Sequence, residues 1–146
     1  GHQRFYKEVW RMILTLDIGN TNIKTALFDG KEMRYYWRMS TNIQKSSDEY
    51  GIVLVNLFQH VGVRPEEVEG IMISSVVPTI NFTIEHMCQN YFGQTPLFEH
   101  RYEPFHSNAL SGEASAGLFL ECFNQCAATS QSRDGGRNHL RNAHAR

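Results

Sequence analysis

Hydrophobic positions along this chain change their period several times, and each change predicts a new element. The first run covers residues 12–18, where Ile13, Leu14, Leu16 and Ile18 form a dense aliphatic stretch interrupted by Asp17. Such density predicts a buried strand that ends near the carboxylate. Residues 23–28 read as its returning partner, with Ile23, Thr25 and Leu27 on one face and Lys24, Ala26 and Phe28 on the other. Asp29-Gly30 predicts a second hairpin turn, and residues 31–41 then carry Met33, Tyr35, Trp37 and Met39 two apart. There the period lengthens. Ser46 followed three residues later by Glu49 is a capping-box pattern, and Tyr50, Val53, Leu54, Leu57, Phe58 and Val61 recur at helical spacing before Gly62. Pro65 opens a short turn. Residues 70–77 form a compact β-branched run closed by Pro78, the composition of a strand apolar on both faces. Helical spacing returns through Ile84, Met87 and Tyr91, with Gly93 as the stop, and residues 95–98 begin one more strand. Three strands, a helix, a strand, a helix and a strand predict an α/β fold with a mixed sheet and packed helices.

Composition narrows the functional classes. A chain of 146 residues suits one ordinary domain, and a formal charge of −1 gives no electrostatic case for nucleic acid or an anionic membrane. Cys88, Cys122 and Cys126 cannot all pair within the chain and lack a Cys-x-x-Cys arrangement, which reads as reduced thiols in a cytoplasmic protein. Seven histidines include no His-Glu-x-x-His, so zinc catalysis has little support, and Cys122 with Cys126 reads as incidental. Residues 1–11 mix basic and aromatic side chains ahead of a short apolar run, too short for a signal peptide or a membrane span. They read as an extension. Ser74 and Ser75 lack a nucleophile-elbow setting and read as strand-end residues lining a cleft. Asp48 and Glu49 read as charges serving a helix N-terminus, and His60 and His86 as surface residues. Tyr35, Tyr36, Trp37 and Arg38 imitate a nucleic-acid stacking platform, although an alternating strand explains them more simply.

The chemistry concentrates in residues 17–24, written Asp17-Ile18-Gly19-Asn20-Thr21-Asn22-Ile23-Lys24. Asp17 is placed for a cation. Gly19 leaves the backbone open to a phosphate, Asn20, Thr21 and Asn22 offer donors, and Lys24 adds a point charge. A hairpin that uses Asp, Gly and Asn only for turn geometry is the competing reading.

This octapeptide resembles the first phosphate motif of type III pantothenate kinases, members of the actin, heat-shock chaperone and sugar-kinase superfamily. The resemblance continues through Trp37-Arg38-Met39-Ser40-Thr41, Asp48-Glu49-Tyr50-Gly51 and Ile73-Ser74-Ser75-Val76-Val77-Pro78 to about Phe98. It implies that residues 12–98 are the first nucleotide-binding lobe of an actin-like ATPase (ribonuclease H-like) fold. It also implies ATP-dependent phosphorylation of pantothenate to 4'-phosphopantothenate, the first step of coenzyme A synthesis. On that reading all eight residues of the motif bind the cofactor, Asp17 holds Mg2+, and Asn20, Thr21, Asn22 and Lys24 bind phosphoryl oxygens. A monovalent cation, K+ or NH4+, and a homodimer with pantothenate near its interface are further implications.

Beyond residue 98 the resemblance fails. The family's arginine-tyrosine substrate segment, its Gly-Ala-Asp-Arg motif with the catalytic aspartate, and its second phosphate motif are missing from residues 99–146. Arg101-Tyr102 lies too close to Phe98 to be the substrate segment. A stretch from Glu113 to Cys126 weakly resembles the family's last helix, and residues 130–146 are too polar to bury a core. An internal deletion joined to a shifted reading frame would produce such a tail. The expectation is therefore an impaired or inactive kinase. Two alternatives are a non-catalytic regulator resembling the family's transcription accessory factors, and a phosphate-binding scaffold completed by a partner chain.

Overall fold

The computed structural model describes residues 12–99. The expectations for residues 1–11, for Cys122 and Cys126, and for the tail beyond Glu99 lie outside the described residues. Within them run β1 (Met12–Ile18), β2 (Asn22–Asp29), β3 (Glu32–Ser40), α1 (Ser47–His60), a 3-10 turn (Pro65–Glu67), β4 (Val68–Ser75), α2 (Pro78–Phe92) and β5 (Leu97–Glu99). The predicted order is the observed one.

The five strands form one sheet in the order β3-β2-β1-β4-β5. β1 pairs antiparallel with β2 and parallel with β4, β2 pairs antiparallel with β3, and β4 pairs parallel with β5. The sheet is thus mixed, as the resemblance implies, with β1 at its centre. Leu14, Leu16, Ile18, Ile23, Leu27, Trp37, Met39, Ile71 and Ile73 face one side and share a core with Tyr50, Leu54 and Phe58 of α1 and Ile80, Ile84, Met87 and Phe92 of α2. Ile13, Ala26, Phe28 and Met72 belong to the opposite face and are also fully buried. Burial on both faces explains why β1 and β4 read as nearly unbroken apolar runs.

Local signals set the element ends. Ser46 Oγ accepts the Glu49 N–H at 3.2 Å, and Glu49 Oε1 accepts the Ser46 N–H at 2.9 Å, closing the capping box ahead of α1. Pro78 occupies the first turn of α2, where its missing N–H costs nothing, and Gly93 ends that helix at φ 67°. The β2–β3 loop consists of Gly30 and Lys31, one residue later than the Asp29-Gly30 pair predicts, with Gly30 at φ 64°. A positive φ at the first loop residue is where a hairpin of this length needs glycine.

One irregularity changes the faces. Phe28 pairs with Met33 but Leu27 pairs with Tyr35, so Arg34 is an extra residue in β3. The bulge puts Met33 out of phase with Tyr35, Trp37 and Met39, contrary to the simple period of two. The last three pack toward the helices. Trp37 lies between Tyr35, stacked at 5.8 Å, and Phe58 at 5.8 Å, which makes this aromatic run core rather than a stacking platform.

The helices meet closely. Tyr91 of α2 lies across Gly51 of α1 and donates a 2.8 Å hydrogen bond to Asp48 Oδ1. That bond, with some desolvation, raises the Tyr91 pKa. Asp48 therefore ties two helices together as well as placing charge in the first turn of α1. Tyr50 anchors the preceding loop, since its hydroxyl accepts from Asn42 N–H at 2.9 Å and donates to Asn42 O at 2.8 Å.

Candidate functional site

The turn between β1 and β2 lies at the end of the sheet where β1 and β4, running parallel, both finish. Its conformation is held by main-chain and side-chain bonds from both neighbouring segments. Gly19 N–H donates to Asn22 O at 2.9 Å across the turn. From the β3 side, Thr41 Oγ1 donates to Gly19 O at 2.7 Å and Thr41 N–H donates to Thr21 O at 2.8 Å. From the β4 side, Val76 N–H donates to Ile18 O at 3.0 Å. Ser75 Oγ accepts the Val77 N–H at 3.0 Å and so shapes the chain just beyond. Asn20 and Thr21 remain exposed at the tip, while Asp17, Gly19, Asn22 and Lys24 are half-buried.

Gly19 bears on both readings of this turn. Among the described residues only Gly30, Gly62 and Gly93 have positive φ. Position 19 thus needs no glycine for the sake of its φ. A Cβ at Gly19 would lie 3.3 Å from Asn22 O, tight but not prohibitive. What glycine provides is room for Asn22 O, which a Cβ would crowd.

Register brings the charged residues into one line. Arg38 of β3 pairs with Lys24 of β2, Lys24 with Asp17 of β1, Asp17 with Ser74 of β4, and Ser74 with Glu99 of β5. In-register neighbours share a face, and this row lies on the face away from α1 and α2. Cationic groups occupy the β2 and β3 side. Carboxylates stand at β1 and β5, with the nearly buried Ser74, 7% exposed, between them.

Of the eight residues expected to bind a cofactor, the structure gathers six at the turn and its flanks. Ile18 and Ile23 differ: their side chains are fully buried in the helix-side core, so only their main chain faces the turn. Sequence reasoning placed Thr41 and Arg38 in the family-like segment Trp37-Arg38-Met39-Ser40-Thr41 and Arg38 on an alternating strand, and joined neither to the turn. Counting register outward from Gly30 would have reached Arg38 only if the bulge were known.

The donor set suits a phosphate chain with a divalent ion. Open glycine backbone, amide and hydroxyl donors, an ammonium group and one carboxylate lie within a single turn and its flanking positions. Among the described residues no group of three His, Cys, Asp or Glu side chains could hold a metal by itself. An ion at Asp17 would therefore take its remaining ligands from phosphates and water, the usual manner for Mg2+. Other candidates stay apart from this place. His60 and His86 are exposed on the helices, and His86 stacks on Phe82 with ring centroids 5.9 Å apart. Cys88 is buried, and burial with help from Glu85 pushes its thiol up to about 12. No helix among the described residues is long and apolar enough to cross a membrane.

Comparison with known proteins agrees with the motif. The sequence profile described as type III pantothenate kinase matches residues 13–108. A type III pantothenate kinase of Brevibacillus brevis is 49% identical over 86 residues, covering 59% of this chain and 34% of the relative. One from an Exiguobacterium species is 46% identical over 86 residues, with the same shares of 59% and 34%. The chain thus spans about a third of the length of these relatives. Among solved structures, a ROK hexokinase from Thermus thermophilus aligns with a TM-score of 0.48 and 19% identity, over 60% of this chain and 34% of that one.

Proposed function

Because the chain belongs to the type III pantothenate kinase family, we propose that its described lobe grips the phosphates of ATP for transfer to pantothenate, giving 4'-phosphopantothenate for coenzyme A synthesis. The observation that carries this reading is Gly19, a glycine in ordinary backbone conformation within a turn clamped by Thr41 and Val76. The close approach of Asn22 O favours glycine on packing grounds as well, and the exposed donors at the turn tip are what the phosphate reading adds.

Each group then has a defined task. Gly19 lets a phosphoryl oxygen approach the main chain, and Asn20, Thr21 and Asn22 supply hydrogen-bond donors around it. Lys24 neutralises phosphoryl oxygens as a point charge. Asp17 fixes the position of Mg2+, which when bound neutralises charge that develops on the transferring phosphoryl group. Phosphoryl transfer depends on such positioning and charge stabilisation more than on covalent help. The clamp keeps the donors in place before the ligand arrives, so little ordering cost falls on binding.

Deprotonation of the pantothenate hydroxyl falls to a general base outside the described lobe. Loss of a positioned general base costs about 100- to 10,000-fold in rate. The monovalent cation, K+ or NH4+, is assigned to regions outside the described lobe, and the working assembly is a cytoplasmic homodimer.

Calorimetric titration with Mg-ATP, alongside a coupled assay for pantothenate phosphorylation, tests the reading. Gly19→Ala should cost some stability because its Cβ crowds Asn22 O and should weaken ATP binding in protein that is still folded, and Asp17→Asn should remove any activity present. Wild-type affinity in Gly19→Ala would return the turn to a purely structural role.

A further inference from the structure

We propose that Ser74 is a positioning residue for Asp17: its hydroxyl donates to one carboxylate oxygen and leaves the other aimed at the divalent ion that accompanies the phosphates. The proposal rests on the phosphate reading of the β1–β2 turn. Ser74 and Ser75 end β4 side by side, yet they do different work. Ser75 pairs with Ile18, so it takes the helix-side face, and its Oγ accepts the Val77 N–H at 3.0 Å. Ser74 pairs with Asp17 and takes the opposite face. There it is 7% exposed, directly after Ile71, Met72 and Ile73, none of them more than 1% exposed. Burying a hydroxyl costs roughly 1–3 kcal/mol unless it is hydrogen-bonded. An apolar side chain would serve the strand better if packing were its only task.

Register selects the partner. From Ile13 to Ile18 the β1–β4 ladder runs without a shift, and the Val76 N–H, donating to Ile18 O at 3.0 Å, locks it just beyond the Asp17–Ser74 pair. Neighbouring strands stand about 4.7–4.9 Å apart, a span that a serine hydroxyl and an aspartate carboxylate on one face close with a single hydrogen bond. Lys24 flanks Asp17 from β2, on the other side. A carboxylate that meets a divalent ion through one oxygen can still turn about its last torsion. A hydrogen bond to the second oxygen sets that torsion before the ion arrives, and outer partners of this kind are worth about 10- to 100-fold in metal affinity. Glu99 of β5 also flanks Ser74. Serine has one proton to donate, and β1 at the sheet's centre carries the motif, whereas β5 is a three-residue edge strand. The competing explanation is that serine is merely a small residue where β4 gives way to the link into α2, which predicts that alanine leaves ion-dependent binding unchanged.

The test uses the whole 146-residue chain, titrated calorimetrically with ATP in Mg2+ and with ATP in EDTA. Ser74→Ala should cut the gain in ATP affinity that Mg2+ brings about tenfold or more and leave binding in EDTA unchanged. Ser74→Thr, which keeps the hydroxyl, should retain the gain. Asp17→Asn should abolish the same gain, and adding Ser74→Ala to it should change nothing more, whereas Glu99→Gln should leave the effect of Ser74→Ala whole. Unchanged Mg-ATP affinity in Ser74→Ala, or a loss that Ser74→Thr shares and that EDTA does not reduce, would overturn the role of Ser74 and leave the turn reading intact. Absence of Mg-ATP binding in the wild-type chain would overturn both.

Discussion

Gly51→Ala should destabilise the lobe even though alanine is the better helix former. Gly51 sits inside α1, where glycine costs roughly 1 kcal/mol relative to alanine. Taken alone, the substitution would stabilise. However, a Cβ at Gly51 would lie 2.4 Å from both Cδ1 and Cε1 of Tyr91 and 2.7 Å from its Cγ. The ring must swing away, and its hydroxyl is held by Asp48 at 2.8 Å. Overpacking costs about 1–3 kcal/mol, and weakening the hydrogen bond adds about 1 kcal/mol. After the propensity gain the net loss is about 1–3 kcal/mol. For a unit of 60–100 residues each kcal/mol lowers the thermal midpoint by about 4–8 °C. Circular dichroism melts and urea titrations of wild type, Gly51→Ala, Tyr91→Ala and the double variant give the test. With the Tyr91 ring removed, Gly51→Ala should become stabilising by about 1 kcal/mol. The same sign in both backgrounds would refute the claim that Tyr91 is what excludes a side chain at position 51.

Thr41→Val keeps the shape of the side chain but removes the donor to Gly19 O. It should cost about 1 kcal/mol in urea unfolding and weaken Mg-ATP binding several-fold, because the turn loses its fixed geometry; unchanged affinity would mean the clamp does not position the donors. Cys88 gives a pH signature. Its native thiol keeps its proton up to about 12, against 9.0 for a free thiol. Between those values the unfolded chain binds fewer protons, so stability falls as pH rises, by at most about 1.4 kcal/mol per pH unit from this group. Cys88→Ala should remove that share of the slope in urea unfolding between pH 8.5 and about 10, and an identical slope would contradict the burial argument.

Elements with a local cause were legible in the sequence. The Ser46–Glu49 capping box, Pro78 at a helix start, Gly93 at a helix end and the aliphatic density of β1 each act within a few residues. The octapeptide around Gly19 was legible as chemistry, and the profile match to the type III pantothenate kinase family extends past it to residue 108. Long-range effects were not. A bulge-free hairpin from Gly30 and Lys31 would set Trp37 opposite Lys24 and turn Arg38 into the core; the extra residue at Arg34 reverses both. No local preference announces that residue, because a bulge answers to twist and packing across the sheet. Asp48 was understood as a helix-end charge, yet its bond to Tyr91 joins positions 43 residues apart. Thr41 looked like the polar end of a strand until the fold brought it against Gly19.

The two-sided clamp on the β1–β2 turn also dates the site within folding. β1, β2 and β3 are consecutive and can zip together through short loops, and Thr41 arrives with them. Val76 reaches Ile18 only after α1 has formed and β4 has docked parallel to β1, closing a loop of more than fifty residues. Contacts of such sequence separation form late and slowly. A nascent chain ending within α1 would hold the motif with half its support, so the ability to grip phosphate would emerge with β4 rather than with the hairpin that carries the motif.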